Sequence, residues 1–521
     1  MQLSPNAELP TVRELSSIAV ENNPNRVAYG EGIDGRTVTW AEFDERSNRA
    51  ANGLREYVGQ GDRVAFLCEG SISHMTLWNG AVKAGCIVSN LHVRESPETT
   101  RSCLDSLRPR VLVVDEDRSE FVEEHVHDQI STDLQAIVTT GEPQTEYEQS
   151  MESLTADASA TEPDVRIGPD DVAAVIWTSG TTGEPKGWCN TNRGLILRAM
   201  KLAHKKQTSR RTRVPNVFSP SFAAWYSTTL PTLLANGTSY FLPEWDPERF
   251  VECIQERSIT NAILVPTMWR EILRLETLEE YDLGSLRNIE SAGETLDATT
   301  LENLRSEICP SISQAYAATE TSGTNIDVTE IEGERIESVG KPLLGIQIRV
   351  IERGGSPEDI CDPRDVGEVI VKSGDSAVWA WGNSEKTAEA FENGWWYSGD
   401  LGYKDEDGYL YIEGRDDNMI TSKGIKVFPT PIEERLNAHP GIAESAVVGV
   451  DDEEYGEKVT AVINRSNPEL TAEELDEWCL ESDKLSRFER PREYVFEDER
   501  LPRTSSDKLD RMSLRTELTE S

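Results

Sequence analysis

The sequence predicts an α/β protein with a large, multi-layer N-terminal domain of β-sheets flanked by helices and a small, mobile α/β C-terminal domain. Two observations lead to this fold class. Strand and helix patterns alternate from Thr11 to about Asp115, which is typical of layered α/β architecture. The chain of 521 residues, 37% of them hydrophobic, is also long enough to bury more than one core.

Apolar periodicity predicts the elements of the first part in order. They are a strand at Thr37–Trp40, a helix at Ala41–Val58, a strand at Arg63–Leu67, a helix at His74–Ala84 and a strand at Arg110–Val114. The acidic segment Gly141–Asp171 contains few aromatic residues, and we expect it to be a solvated connection across the surface. Two histidines, His125 and His127, lie before it, but without a third ligand in suitable spacing they indicate surface residues rather than a metal site.

The middle of the chain is organised around the segment Thr178–Gly187, which we call the phosphate loop. It follows Val172–Trp177, a β-branched apolar run that predicts a buried strand. Four hydroxyl side chains, three glycines and Lys186 within ten residues suit a polyphosphate, because backbone N–H groups, hydroxyls and a cation all approach one anion. The spacing is not that of a Walker loop, and a flexible surface turn is the alternative interpretation.

Beyond the phosphate loop the pattern continues to the C-terminus. It predicts a helix at Arg193–His204, a strand at Asn261–Pro266, a helix at Thr267–Leu275 and a β-rich region from Gly367 to Ile412. A compact α/β unit follows, with a helix at Pro431–Ala438, strands at Ala446–Val450 and Lys458–Asn464, a helix at Ala472–Leu485 and a strand at Arg492–Glu497.

Charge and cysteine usage limit the classes of partner. Asp and Glu number 94 against 52 Lys and Arg, which gives a formal charge of −42, and only 14 of the cations are Lys. Such a field repels nucleic acid and anionic lipid and is typical of a salt-loving cytoplasm. The eight cysteines form no CxxC pair and predict reduced thiols, and no apolar run approaches eighteen residues. We therefore expect a soluble, cytoplasmic protein without membrane insertion, and the oligomeric state stays open.

Several motifs together resemble the adenylate-forming superfamily, which contains acyl-CoA synthetases, adenylation domains and firefly-type luciferases. The phosphate loop reads TSGTTGEPKG, and it is followed by the segments Ser291–Leu296, Tyr316–Glu320, Gly394–Asp400 and Leu501–Lys508. The resemblance covers nearly the whole chain. It implies an N-terminal domain at 1–414, a hinge at 415–417 and a mobile domain at 418–521. Asp417 matches the hinge residue about which the mobile domain rotates. Ala317 and Asp507 stand where the family usually has glycine.

The resemblance also implies site residues. Lys508 would bridge the carboxylate and the α-phosphate, Thr319 would donate to the α-phosphate, and Glu320 would hold Mg²⁺. ATP and coenzyme A would be bound by the remaining residues: Thr178, Ser179, Gly180, Thr181, Thr182, Gly183 and Lys186 on the phosphates; Ala292, Gly293, Glu294 and Tyr316 around the adenine; Asp400 on the ribose; Arg415 on the ribose or a phosphate; and Lys423 and Gly424 beside the pantetheine of coenzyme A.

Val217–Tyr226 would form an aromatic wall of the acyl pocket, although each aromatic side chain there fits a core position equally well. Amino-acid activators usually carry Asp after the Phe, whereas Ala223 follows Phe222, which favours an acid without an ammonium group. The expected activity is therefore that of an AMP-forming acyl-CoA synthetase, acting on a medium- or long-chain fatty acid, with aryl and short-chain acids left open. The alternatives are an adenylation enzyme that loads a separate carrier protein and a non-catalytic ATP-binding homologue.

Overall fold

The computed structural model describes residues 9–178, 185–293, 296–321, 323–324, 326–327, 338–452, 454–482, 485–503 and 509–520. It is an α/β structure with a large N-terminal part built of sheets and helices and a smaller C-terminal α/β part, as the sequence predicts. Ser179–Glu184, Glu294 and Thr504–Lys508 lie outside the described residues.

The central sheet of the N-terminal part carries the phosphate loop. Its spatial order within the described residues is Trp379–Ala380, Lys186–Thr191, Val172–Thr178, Ile87–Asn90, Arg63–Leu67, Val111–Val114, Ala136–Thr139 and Glu148–Ser150. The last six strands run parallel, while the first two pair antiparallel with their neighbours. Three of the parallel strands are almost fully buried, which explains their largely apolar sequences: Ile87–Asn90, Arg63–Leu67 and Val111–Val114.

Two further sheets of the N-terminal part meet each other at one edge. One has the order Arg213–Asn216, Thr238–Phe241, Val27–Glu31 and Thr37–Thr39; the other has the order Asn261–Leu264, Asn288–Ala292 and Ile312–Ala315. The backbone N–H of Thr260 donates to the carbonyl of Arg213, so the two sheets meet there. Apart from Thr37–Thr39, neighbouring strands within each sheet are parallel, so their carboxyl ends share one edge.

An antiparallel sheet follows in sequence and supplies the last part of the candidate site. Its order is Gln347–Ile351, Gly367–Lys372, Trp395–Lys404 and Phe391–Glu392, and Leu410–Arg415 pairs with Trp395–Lys404. The C-terminal part has the order Ile425–Val427, Ile420–Ser422, Gly456–Arg465 and Ile442–Asp452, with Glu493–Glu497 added parallel to Gly456–Arg465. It has its own core, which includes Ile432, Leu436, Val447 and Leu475.

Helices cover the faces of these sheets. Their bounds are Leu15–Asn22, Trp40–Leu54, Ile72–Lys83, Pro97–Leu107, Ser119–His125, Met151–Thr155, Asn192–Lys205, Ala223–Leu234, Pro247–Arg257, Pro266–Leu273, Ala298–Asn303, Ser384–Ala390, Pro429–Asn437, Ala472–Leu480 and Arg511–Glu520. In the part of the chain that the structure describes, no helix combines the length and the apolar character that a membrane crossing requires.

Some sequence-based predictions are wrong in detail. Gly141–Asp171 is not merely a solvated connection, because it contains the edge strand Glu148–Ser150 and the short helix Met151–Thr155. Backbone pairing with Ala136–Thr139 defines this polar strand, so it leaves no apolar pattern. The helix predicted at Ala472–Leu485 ends at Leu480, and the strand predicted at Asn261–Pro266 ends at Leu264, because Pro266 begins the next helix.

Candidate functional site

Two predicted nucleotide-binding segments lie side by side at the carboxyl ends of adjacent parallel strands. Ala292 ends one strand and pairs in register with Ala315, and Tyr316 follows directly. Gly293 has φ +101°, a conformation that L side chains rarely adopt, and a Cβ there would lie 3.4 Å from Val265. The strand ends therefore bring the segments expected to enclose the adenine to one edge of the sheet.

Tyr316 joins this edge to the antiparallel sheet. Its hydroxyl donates to Oδ2 of Asp400 at 2.5 Å, and burial followed by the charge of Asp400 raises the pKa of Tyr316 well above its ordinary value. Tyr316 is therefore a phenol at neutral pH. The backbone N–H of Asp400 donates to the Ser398 hydroxyl, which holds the backbone from which the carboxylate projects.

Arg415 lies opposite Asp400 on the neighbouring strand. Asp400 and Arg415 pair in register, and Nη1 of Arg415 is 3.5 Å from Oδ1 of Asp400. The guanidinium also donates to both carboxylate oxygens of Asp417 at 3.0 and 3.1 Å. Burial lowers the pKa of Arg415, but the hydrogen bond to Asp417 and the charge of Asp400 outweigh it, so the net shift is upward. The predicted ribose residues thus form one charged cluster next to Tyr316.

The phosphate loop joins two paired strands of the central sheet. Thr178 and Lys186 face each other in register at the end of this hairpin, and the hydroxyl of Thr178 donates to the Lys186 carbonyl at 3.4 Å. The expectation that the loop leaves a strand end is confirmed by these flanking residues. Ser179, Gly180, Thr181, Thr182 and Gly183 lie outside the described residues, so their role stays a prediction.

A short segment, residues 377–381, connects the phosphate loop to the Tyr316–Glu320 segment, and we call it the bridging segment. The N–H of Ala377 donates to the carbonyl of Glu320 at 2.7 Å. The N–H of Val378 donates to Cys189 and that of Trp381 to Gly187, both on the strand that leaves the phosphate loop. Two motifs more than 120 positions apart in the sequence are therefore held together through backbone hydrogen bonds.

Glu320 is the one predicted metal ligand. Its side chain is half-buried in a turn after the strand Ala317–Ala318. Mg²⁺ is usually held by one or two carboxylates together with substrate phosphates, so a single carboxylate in a segment hydrogen-bonded to the bridging segment fits this ion. Among the described residues there is no cluster of three His, Cys, Asp or Glu side chains that would form an all-protein metal site, and His127 stacks on Tyr147 instead.

The predicted coenzyme A residues Lys423 and Gly424 form a tight turn in the C-terminal part. They connect Ile420–Ser422 to Ile425–Val427, and both have positive φ, at +50° and +79°, as a type I′ hairpin requires. Nζ of Lys423 is 2.6 Å from Glu454, and this hydrogen bond raises the pKa of the lysine. Glu294 and Lys508 lie outside the described residues.

The aromatic segment Val217–Tyr226 divides into two environments. Trp225 and Tyr226 are core residues that pack against Trp78, whereas Phe222 is half-buried and its ring centroid lies 4.8 Å from that of His92. Only the start of the segment is therefore available as a pocket wall. A cavity of ≈ 290 Å³ begins near Val217 and is lined by apolar side chains that include Phe241, Leu242, Trp245 and Phe250.

Sequence reasoning missed a buried charged cluster beneath the site. Glu290 lies two residues before Ala292, and its side chain is 1% exposed. Nζ of Lys205 is 2.9 Å from one of its oxygens, and Nζ of Lys206 is 3.6 Å from the other. Burial alone would raise the pKa of Glu290, but these two cations lower it, so the carboxylate is ionised. The scarcity of lysine was a usable signal, because two adjacent lysines are conspicuous among 14.

Comparisons with known proteins give a consistent result. Residues 17–377 match the family described as AMP-binding enzyme, and residues 431–508 match the AMP-binding enzyme C-terminal domain. One similar relative is a fatty acid–[acyl-carrier-protein] ligase, ScoC, of Streptomyces coeruleorubidus, which is 30% identical over 98% of this chain and 96% of the relative. Another is a 3-hydroxybenzoate–CoA ligase of Aromatoleum sp. (strain CIB), which is 29% identical over 92% of this chain and 91% of the relative. The fold is similar to that of ATP-bound MatB from Rhodopseudomonas palustris, with a TM-score of 0.86, 26% identity and coverage of 98% and 99%.

Proposed function

Because the chain belongs to the AMP-binding enzyme family and is an AMP-forming acid–thiol ligase, we propose that it converts a carboxylic acid, ATP and coenzyme A into acyl-CoA, AMP and pyrophosphate. An acyl-adenylate is the intermediate. The observation that carries the proposal is the set of hydrogen bonds that connects the strand after the phosphate loop, the Tyr316–Glu320 segment and Asp400.

The first half-reaction joins two anions, so its barrier is electrostatic and positional. A carboxylic acid is already ionised near neutral pH and needs no general base. We assign the phosphates to Thr178–Lys186, the α-phosphate to Thr319 and the bridging charge to Lys508. Asp400 accepts both ribose hydroxyls, since an ionised carboxylate has acceptor capacity for two donors beside the Tyr316 phenol. Mg²⁺, held by Glu320, would neutralise charge on the leaving pyrophosphate when bound.

The second half-reaction transfers the acyl group to a thiol. The turn Lys423–Gly424 belongs to the C-terminal part, and the proposed rotation about Asp417 would exchange it with Lys508 at the site. The ion pair between Arg415 and Asp417 connects the proposed hinge to the ribose cluster, and the proposed rotation would change this contact. The proposed boundaries are 1–414, 415–417 and 418–521, and we propose that the enzyme works in the cytoplasm.

The acid class is the finer part of the proposal. The absence of a carboxylate after Phe222 supports an acid without an ammonium group, and the apolar cavity near Val217 offers space for an alkyl chain, as a medium- or long-chain fatty acid requires. The relatives divide between fatty acids and hydroxybenzoates.

The acceptor is the second open choice, because one relative is named as loading a carrier protein. A pyrophosphate-release screen over aliphatic, aryl and amino acids tests both choices when it is run with and without coenzyme A and in low and high salt. We expect release only with acids that lack an ammonium group, and turnover of the adenylate with free coenzyme A. Transfer of the acyl group to a carrier protein but not to coenzyme A would favour the carrier-loading alternative. If no acid gave pyrophosphate release, the proposed ligase activity would be refuted.

A further inference from the structure

A buried ion pair lies next to the bridging segment. Nζ of Lys201 is 2.6 Å from Oδ1 of Asp375, and the two side chains are 13% and 3% exposed. Nζ of Lys201 also donates to the Ser373 hydroxyl at 2.8 Å, and that hydroxyl donates to the Asp375 carboxylate. Asp375 lies two residues before the bridging segment, whereas Lys201 belongs to the helix Asn192–Lys205. The pair therefore ties the start of the bridging segment to this helix.

One face of the helix contacts the turn that contains Asp375. Gly194, Leu197 and Lys201 are spaced three and four residues apart, so they lie on the same side of the helix. A Cβ on Gly194 would lie 3.7 Å from the carbonyl oxygen of Asp375, and a Cβ on Gly374 would lie 3.5 Å from Leu197. The turn thus packs along this face, and the ion pair is its charged contact with the helix.

The bridging segment is also held by the strand Lys186–Thr191, which ends where this helix begins. Two of its backbone N–H groups donate to carbonyls of that strand. Ala377 and Ala380 of the segment form a buried cluster with Trp188 of the strand. The strand and the helix are consecutive in the chain, so the ion pair and the strand hold the two ends of the bridging segment to one continuous piece of the fold.

Ala377 connects the ion pair to Glu320. Its backbone N–H donates to the carbonyl of Glu320 at 2.7 Å, and it lies two residues after Asp375. A shift of the turn therefore moves Ala377 and, through this hydrogen bond, the backbone of Glu320. The fixed reference is Lys186, which begins the strand and faces Thr178 across the two ends of the phosphate loop.

We propose that Asp375 and Lys201 are positioning residues for adenylate formation, because their ion pair sets the distance between Glu320 and the strand that leaves the phosphate loop. The inference rests on the proposed ligase activity. ATP extends from the Tyr316–Glu320 segment to the phosphate loop, so its binding depends on this distance. AMP and the acyl-adenylate carry no β- or γ-phosphate, so they bind without spanning the two motifs.

Nucleotide binding by Asp375→Asn and Lys201→Met provides the test. Calorimetric titration of the full chain in the presence of Mg²⁺ gives the dissociation constants of ATP and AMP. In both variants the constant for ATP is expected to rise about 10-fold, the effect of losing one hydrogen bond to a charged phosphate, while that for AMP changes less than about twofold. A loss of stability lowers the fraction of chain that binds either nucleotide but leaves the ratio of the two constants unchanged.

The two half-reactions give an independent readout. Pyrophosphate release at saturating ATP is expected to fall about 10- to 100-fold in both variants, because a displacement of about 1 Å away from the reacting atoms has an effect of this size. Acyl-CoA formation from supplied acyl-adenylate is expected to stay within about twofold of the native rate. A merely structural role would lower both rates by the same factor.

Three further variants complete the experiment. Asp170→Asn is the matched control, since Asp170 pairs with Arg193 of the same helix at 2.7 Å but the two side chains are 75% and 45% exposed, and both readouts are expected to match those of the native chain. Lys201→Arg keeps a cation for Asp375 and is expected to hold the constant for ATP within about threefold of the native value. The double variant Asp375→Asn/Lys201→Met leaves no buried charge unpaired, so it tests the same loss if a single variant fails to fold.

Constants for ATP that stay at the native value in the single and double variants overturn the inference while the ligase activity stands. Equal rises in the constants for ATP and AMP, or equal losses in the two half-reactions, overturn it as well. Absence of pyrophosphate release from the native chain with every acid refutes the proposed function itself, and the binding constants distinguish that outcome because they require no turnover.

Discussion

Asp400→Asn tests the assignment of the ribose site. Asp400 accepts from the Tyr316 hydroxyl at 2.5 Å and faces Arg415 at 3.5 Å, and we propose that its carboxylate also accepts from the two ribose hydroxyls. Asparagine keeps the shape and one carbonyl oxygen, which Tyr316 already occupies. The ribose hydroxyls therefore lose their charged acceptor while the local packing is retained.

The size of the effect follows from these contacts. A hydrogen bond to a charged group contributes about 1.5–3 kcal/mol, which corresponds to about 10- to 100-fold in affinity. The ion pair with Arg415 adds little, because the arginine side chain is 44% exposed. In the native chain, kcat/KM for 2′-deoxy-ATP and 3′-deoxy-ATP is expected to lie about 10- to 100-fold below that for ATP. In Asp400→Asn the three nucleotides are expected to differ by less than about threefold.

The assay is pyrophosphate release at saturating acid with each nucleotide titrated. Asp359→Asn is the matched control, since its carboxylate accepts from Ser356 in an exposed turn and it is expected to discriminate between the nucleotides as the native chain does. If Asp400→Asn still rejects both deoxy nucleotides by the native factor, Asp400 does not bind the ribose and the geometry described above has been misread.

Four further predictions follow from the sequence and the structure. Lys508→Ala is expected to abolish pyrophosphate release but to spare acyl-CoA formation from supplied acyl-adenylate, measured by chromatography; equal loss of both steps contradicts the separate roles of Lys508 and the Lys423–Gly424 turn. Glu290→Ala leaves Lys205 and Lys206 buried without their counter-ion and is expected to lower the free energy of unfolding in urea by about 3–5 kcal/mol, whereas a loss below about 1 kcal/mol would mean that the cluster relaxes. Burial lowers the pKa of His74 from 6.5 to about 4, so the unfolded chain binds a proton that the folded chain does not as pH falls from 6.5 to 4. Stability is expected to fall by about 3 kcal/mol across that window on this account, and His74→Gln should lack this part of the pH dependence in urea titrations; identical slopes would show that another group is responsible. Finally, Tm is expected to rise between low and molar KCl because counterions screen the formal charge of −42, and a constant or falling Tm would count against a halophilic origin.

Much of the fold was predictable because burial leaves a pattern in the sequence. The strand Arg63–Leu67 has the predicted bounds, and the strand after Asp171 differs from its prediction by one residue, because both are buried in the central sheet. The strand Glu148–Ser150 was not predictable, because it lies at the edge of that sheet and its polar residues pair through their backbone with Ala136–Thr139. The helix that begins at Ala472 was predicted because Leu475 and Cys479 form a buried apolar stripe, but this stripe does not mark the last residue of the helix, which is Leu480.

The candidate site was predictable where a motif is local and unpredictable where contacts are distant. The phosphate loop and the Tyr316–Glu320 segment are each contiguous, whereas the hydrogen bond between Tyr316 and Asp400 spans 84 positions. The bridging segment acts through backbone groups, so its side chains give no sign of its role. Glu290 was hidden by its position inside a buried strand, where a charged residue is rarely expected.

The bridging segment also has a consequence for protein engineering. Chimaeras between two parents keep their structure best when the crossover points do not divide groups that contact one another. A crossover between Gly187 and Ala377 would place the strand after the phosphate loop and its hydrogen-bonding partner on different parents. Exchanging 187–381 as one cassette keeps these hydrogen bonds within a single parent. The hydrogen bond between Tyr316 and Asp400 and the pairing of Val172–Thr178 with Lys186–Thr191 would still cross its boundaries, so the residues at those two junctions should be matched between the parents.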